Sequence, residues 1–471
     1  MVGILGANSV SGGYEISNSL RFNDGDSPYL SFTTDTDGND KIATFSAWIK
    51  RGSNFANQQN IFTSFPETER SHLLFTPTND QLHFQAYTGG SATTNLITNR
   101  AFRDPSAWYH IVLAFDTTQG TDTNRIKIYV NGQQETSFAT ETYPSQNTTL
   151  SFNTNGRPFY IGTYNTSAYF PDGYMSEINW IDGTQKAASD FGEVDDNGVW
   201  IPKKYAGSYS TNGFYLQFKQ TGTGQNSSGI GADTSGNDNH YAVTNLTAVD
   251  VSPDTPTNNF ATMNPLDAGS EVLLSQGNLG VNWNGVTGHA INSTIAVSKG
   301  KWYVEMRRSS VSNAIGLIRA NQTGVGTSWV GATVYGAGGS YAYVPTGNKR
   351  TNGSDDSYGD SFAHGDRLGI AFDADNGALY FYKNGTIQNS GTAAFTGISG
   401  TYHFSNSYYA GTNTTGNDNI AHVNFGGDGT FGQTEGATQK TNADANGYGH
   451  FYYAVPSGYY SLCTKNLAEF G

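Results

Sequence analysis

Extended segments in which apolar and polar residues alternate, each cut short by Gly, Asn or Asp, leave this chain few folds to choose from. Runs such as 44–50 (TFSAWIK), 81–86 (QLHFQA), 110–116 (HIVLAFD) and 125–130 (RIKIYV) place apolar side chains on one face of a strand. The last of them enters Asn131-Gly132, a pair that favours the positive φ angles of a tight hairpin between twisted strands. Segments 73–76, 158–162 and 173–181 (GYMSEINWI) continue the series. Helical periodicity is hard to find. About a dozen such strands in an antiparallel meander build a β-sandwich.

A second series follows: 301–307 (KWYVEMR), 314–319, 340–344, 366–373 (DRLGIAFD), 378–383 (ALYFYK) running into Asn384-Gly385, and 421–425. HIVLAFD then RIKIYVNG, and RLGIAFD then ALYFYKNG, echo each other. Shared hairpin physics explains the echo, and tandem duplication is the alternative. Between the two series the text turns rich in Gly, Ser, Asn and Pro, the composition of irregular backbone. The expected organisation is therefore an N-terminal arm over 1–18, a sandwich over 19–205, a connector with one strand (213–219, GFYLQFK) over 206–265, and a second sandwich over 266–471.

Charge and composition narrow the partners. Only 14% of the 471 residues are charged, the net charge is −14, and Gly numbers 58. An acidic chain without a basic block does not attract phosphate backbones, so no nucleic-acid partner is expected. No apolar run approaches the ~20 residues that span a bilayer, so no membrane insertion is expected. The first residues, MVGILGANSVSGGY, lack the basic start and apolar stretch of a secretory signal. The single cysteine, Cys463, cannot form an intrachain disulfide and reads as a buried thiol. These features fit a chain that either stays in a cytoplasm or leaves a cell without the signal-dependent route, as release by lysis would allow.

The first half resembles the laminin-G-like, concanavalin A-like jelly rolls. The residues that carry the likeness are SLRFNDGDSPYLSF, ATFSAWIKR, AWYHIVLAFD, RIKIYVNGQQ and FYIGTYN…FPDGYMSEINWIDG. The second half resembles SPRY domains through GKWYVEMR, YGDSFAHGDRLGIAFDADNGALYFYKNG and HVNFGG. The connector TPTNNFATMNPL and the ending PSGYYSLCTKNLAE resemble those of marine bacteriophage virion proteins that join the two domains. The resemblance implies an all-β protein of two antiparallel sandwiches. It also implies a tail- or head-fibre role on a particle surface, other virion proteins as partners, and a host-surface glycan or receptor as the target. Phage fibres are commonly trimers, so a homotrimer is weighed against a monomer.

Each candidate site competes with a plainer reading. Glycosidases of the jelly-roll fold place a Glu-x-Asp-x-(x)-Glu run on one strand, so that alternation aims the carboxylates at one face. The nearest text here, Glu193-Val194-Asp195-Asp196-Asn197, lacks the closing Glu, and no enzyme is expected. His110 lies inside a strand and reads as packed. Trp48, Trp108, Trp180 and Trp302 read as core. Laminin-G-like domains often hold one calcium at a loop rim, which makes Asp24 and Asp26 candidate ligands, against an ordinary turn. Loops 164–170 (YNTSAYF) and 407–411 (SYYAG) set aromatics beside Asn and Ser. Tyr164, Tyr169, Phe170, Tyr408 and Tyr409 are therefore the candidate sugar-binding rings, against a role in capping the core or packing on a neighbour.

Overall fold

The computed structural model describes residues 13–52, 57–283, 288–308, 312–410, 420–431 and 439–471. The chain divides into two compact units, Met1–Thr257 and Asn258–Gly471. Both are antiparallel sandwiches.

In the first unit, one sheet runs from Gln133–Gln134 through Ile126–Val130, Trp108–Asp116, Ile42–Arg51, Gly173–Asp182 and Ser19–Phe22 to Val251–Ser252. Phe214–Leu216 is added alongside Gly173–Asp182. The facing sheet runs from Phe138–Thr142 through Ser91–Ala101, Gln81–Thr88, Ser71–Phe75, Gln59–Ser64, Pro158–Ile161 and Tyr29–Thr33 to Ala242–Thr244. Alternation sends Phe45, Phe115 and Trp180 from one sheet, and Phe62, Phe84 and Phe159 from the other, into a shared core. Phe62 and Phe159 stack at 5.4 Å, and Trp180 meets Phe159 edge-on at 4.9 Å. Asn131 and Gly132 take φ of 47° and 81°, the left-handed pair a tight hairpin needs.

The first sheet is covered on its other face as well. Trp48, Trp108 and Tyr174 pack there with Tyr14, Ile16 and Trp200. Val112, Ile181 and Tyr215 pack with Phe191, Tyr205 and Tyr209. Trp48 and Trp108 are thus buried in a layer outside the main core, whereas Trp180 is central. The expected arm 1–18 lies outside the described residues up to 12. Its remainder belongs to this layer, since the Ile16 N–H donates to Thr257 Oγ1 at 3.1 Å.

The stretch 206–265, expected as a connector, is mostly structural. Phe214, Leu216, Phe218, Ile230, Tyr241, Leu246 and Val251 all enter the main core. Its Gly- and Asn-rich text supplies turns, and the apolar residues between the turns face inward. Asp233 organises one turn, accepting from the N–H groups of Tyr215 (2.8 Å), Ser235 (2.8 Å) and Asn239 (3.0 Å). Farther on, the buried Asp254 carboxylate accepts from Lys50 Nζ at 2.7 Å and from Trp108 Nε1 at 3.3 Å.

In the second unit, one sheet runs from Met263–Ala268 through Ala290–Val297, Tyr402–Ala410, Ser312–Arg319, Ser340–Tyr343 and Asn348–Thr351 to Ser354–Ser357. The other runs from Val272–Ser275 through Gly280–Trp283, Ala421–Asn424, Lys301–Arg307, Arg367–Asp373 and Ala378–Lys383 to Thr386–Ile387. Trp283, Trp302, Phe372, Phe381, Tyr402 and Phe404 fill the space between them. Tyr303 and Ala371 on the second sheet's outer face lie under Phe451. Glu305 anchors that cover: its carboxylate accepts the backbone N–H of Tyr452 at 2.8 Å and of Tyr453 at 2.9 Å.

Candidate functional site

With one sheet of the first sandwich covered on both faces, the outer face of the facing sheet stands out. The loop 163–170, which follows the strand Pro158–Ile161, folds over it. Local hydrogen bonds shape the loop. Thr163 Oγ1 donates to the Ala168 carbonyl at 2.9 Å, and the Tyr164 N–H reaches the same carbonyl at 3.1 Å. Asn165 Oδ1 accepts from the Ser167 N–H and hydroxyl at 2.9 and 3.0 Å, the Asx turn for which Asn and Ser are suited. Two further bonds tie the loop to the neighbouring strand: the Asn60 N–H donates to the Tyr169 carbonyl at 3.0 Å, and Thr63 Oγ1 to the Thr163 carbonyl at 3.1 Å.

The loop presents a cluster of rings. Tyr164 meets Tyr169 edge-on at 5.7 Å and Phe65 at 6.3 Å. Its ring lies 5.4 Å from the His72 imidazole. Its hydroxyl donates to Glu67 Oε1 at 2.7 Å. Arg70 bonds the same carboxylate at 3.0 Å and lays its guanidinium 3.5 Å over the Tyr87 ring. Burial, reinforced by Glu67, pushes the Tyr164 hydroxyl well above the usual phenol range. Burial holds the His72 imidazole down at about 4, and so neutral at pH 7. Tyr169 is 48% exposed, and Phe170 beside it is half-buried. An exposed ring face next to hydroxyl and amide groups is what a saccharide's C–H face and hydroxyls require.

Of the candidate rings, Tyr164, Tyr169 and Phe170 therefore share one neighbourhood. Tyr408 does not serve: it is 1% exposed and packs in the second core, 6.5 Å from Trp283. The reason is alternation, because Tyr402, Phe404 and Tyr408 fall on the same inward side of their strand. The side chain of Tyr409 lies outside the described residues. Arg70, His72 and Tyr87 were not singled out by the sequence. The alternation of Gln81–Thr88 marks Tyr87 as outward-facing, but nothing in the text says that a distant loop lands beside it.

Asp24 and Asp26 sit in a 3-10 turn, with Asp26 accepting from Asn23 Nδ2 at 2.7 Å. Among the described residues no group of three or more His, Cys, Asp or Glu side chains is placed to hold a metal ion. Asp195, in the acidic 193–197 stretch, serves a turn by accepting the N–H groups of Asn197 (2.9 Å) and Val199 (2.7 Å). Cys463 is buried, and burial pushes its thiol up to about 11.

One pair looks like a nucleophile and base. Ser46 Oγ lies 2.9 Å from His110 Nε2, both buried. The tautomer runs the other way. Trp200 Nε1, a donor only, bonds His110 Nδ1 at 3.0 Å. The imidazole proton therefore sits on Nε2 and points at the serine, so this histidine has no lone pair with which to activate Ser46. Burial holds His110 down at about 3.

Comparison with known proteins agrees with the architecture. Residues 24–189 match the concanavalin A-like lectin/glucanase superfamily, and residues 299–427 match the SPRY domain. An ATP-dependent RNA helicase, DDX1 of Xenopus laevis, is 32% identical over 125 residues, which cover 26% of this chain and 16% of that protein. The SPRY domain of human HERC1 covers 34% of this chain and 96% of its own, at 17% identity and a TM-score of 0.27. A SAP-like pentraxin from Limulus polyphemus covers 37% of this chain and 80% of its own, at 15% identity and a TM-score of 0.28. The chain carries a laminin-G-like, concanavalin A-type domain followed by a SPRY domain.

Proposed function

We propose that this chain is a non-enzymatic glycan-binding protein of a bacteriophage particle surface, carried on a tail or head appendage. The observation that carries the glycan reading is the ring cluster of loop 163–170, with Tyr169 48% exposed beside Tyr164, and Arg70 reaching from Tyr164 to Tyr87. The virion setting rests on the likeness of 255–266 and 456–469 to phage structural proteins. In that setting the partners are other virion proteins and a host-surface glycan, and a homotrimer is one assembly that would serve. Many copies on one particle raise effective concentration, so avidity exceeds single-site affinity by ~10²–10⁴, and a shallow site suffices. The test is to present the full chain, multimerised, to an array of bacterial surface polysaccharides. Retention on at least one class is the expected result. No retention favours a purely structural role, and release of reducing ends would favour a depolymerase.

A further inference from the structure

The register of the open sheet lines up one row of side chains across its strands. Ser31 pairs with Tyr160, Tyr160 with Thr63, Thr63 with His72, His72 with Gln85, Gln85 with Asn95, and Asn95 with Thr142. Residues directly opposite one another share a face of the sheet. Their chain neighbours Leu30, Phe62, Leu73, Phe84 and Leu96 all point into the core, so the row lies on the outer face. A second row, Leu74, His83, Ile97 and Thr140, runs beside it.

Loop 163–170 crosses the first row at Thr63 and His72 and closes that end. From His72 the row runs on through Gln85 and Asn95, both half-buried, to the exposed Thr142 on the edge strand Phe138–Thr142. This open stretch spans three strand spacings, ~14 Å, the length of a short oligosaccharide. Its polar groups are partly committed. His72 Nε2 bonds Gln85 Oε1 at 3.2 Å, and His83 Nε2 bonds Asn95 Oδ1 at 2.7 Å. Both bonds use the amide oxygens, and the NH2 groups of Gln85 and Asn95 have no partner among the described residues.

Charge restricts the occupant. Neither row contains a Lys, Arg, Asp or Glu, although the chain as a whole carries −14. Burial depresses both imidazoles, His72 to about 4 and His83 in the same direction, so both are neutral at pH 7. The ionised pair of Arg70 and Glu67, mutually compensated, stands at the closed end. Glu69 lies beyond it, accepting the Gly89 N–H.

We infer that the row between Tyr164 and Thr142 binds the free end of a neutral oligosaccharide, with the terminal sugar against the Tyr164 wall and the following sugars on the Gln85 and Asn95 amides. This rests on the glycan reading above and adds the class of sugar and the way it is read. An acidic sugar would bring a charge onto two rows that carry no cation of their own, and Arg70 at the closed end is already paired with Glu67. A cyclic or internal segment would collide with the loop at the closed end.

The experiment titrates the full chain with neutral gluco-, manno- and galacto-oligosaccharides of one to six units, the corresponding uronate oligomers, and cyclic glucans. For the neutral class that binds, affinity is expected to rise by about tenfold or more from monosaccharide to trisaccharide and then level off. Uronates and cyclic glucans are expected to bind at least about tenfold more weakly. Gln85→Ala and Asn95→Ala, with folding checked by circular dichroism, are each expected to weaken the trisaccharide. Equal binding of uronates or of cyclic glucans overturns this inference and leaves glycan binding intact. Binding of no saccharide at all overturns both.

Discussion

The Tyr164 ring lies 5.4 Å from the His72 imidazole, centroid to centroid, although the two residues stand on different segments of the first sandwich. The contact brings a loop tyrosine onto a sheet histidine, and with it the Glu67, Arg70 and Tyr87 group. A test separates the ring from its hydroxyl. Tyr164→Phe keeps the stacking face and is expected to retain glycan binding within about fivefold, since one exposed hydrogen bond is worth ~1 kcal/mol or less. Tyr164→Ala removes the wall and is expected to abolish retention with little change in melting temperature. Both are read by array binding and calorimetry.

The boundary of the first unit is a second consequence. A chain ending at 205 loses Phe214, Leu216, Phe218, Ile230, Tyr241, Leu246 and Val251 from the core. It is expected to be insoluble or to lack a cooperative transition. A chain ending at 257 keeps every one of these residues and is expected to melt cooperatively. Differential scanning calorimetry of the two fragments decides this.

Within that boundary, the Lys50–Asp254 pair bonds at 2.7 Å with both side chains buried. Removing one member of a buried pair leaves the other charge in a poor medium, at a typical cost of ~3–5 kcal/mol. Lys50→Met is therefore expected to lower the midpoint of the first unit by about 2–4 °C per kcal/mol lost. An unchanged midpoint would show that the pair contributes nothing net.

Glu305 gives the second unit a pH dependence. Complete burial raises its carboxyl to about 7, outweighing the Tyr452 and Tyr453 N–H bonds that favour the ionised form. A carboxyl raised above its unfolded value holds its proton more tightly when folded. Its contribution to stability is full below the unfolded pKa near 4.5 and is lost as pH rises through about 7. The second transition is expected to fall between pH 5 and pH 8.5. In Glu305→Gln, which cannot titrate and sets an amide NH2 against a backbone donor, the transition starts lower and changes less with pH. A variant with the wild-type slope would remove Glu305 as its source.

The tautomer of His110, which leaves Ser46 without a base, is measurable. Held down at about 3 by burial, with its proton on Nε2, His110 is expected to show no change in imidazole NMR shifts between pH 5 and 8. A midpoint near 6.5 would mean that the site opens to solvent and that Ser46 merits reconsideration.

Strand alternation and hairpin chemistry were legible in the text because they act over a few residues. Asn131-Gly132 and Asn384-Gly385 both adopt the positive φ pair, and the two sandwiches follow from the runs beside them. Within 206–257 the run 213–219 was legible as a strand, but Ile230, Tyr241, Leu246 and Val251 were not legible as core, because they lie scattered among turn formers and no period connects them. Nor was the kink at Glu177, where a bulge breaks the register of Gly173–Asp182 and a positive φ of 51° turns its carboxyl toward Tyr14 and Tyr215. The site was half legible. The loop rings stood out by composition, but the row from His72 to Thr142 exists only once long-range strand pairing sets the register. Tyr408 misled because a strand's inward side cannot be told from its outward side by aromatic content.

The most direct measurement compares multimerised full-length chain with its Tyr164→Ala, Tyr169→Ala double variant on one array of surface polysaccharides, both shown to fold. Expected is retention by the parent chain on a neutral glycan class and its loss in the variant. Equal retention by the two would contradict the placement of the site on this face of the first sandwich, and retention by neither would contradict glycan binding itself.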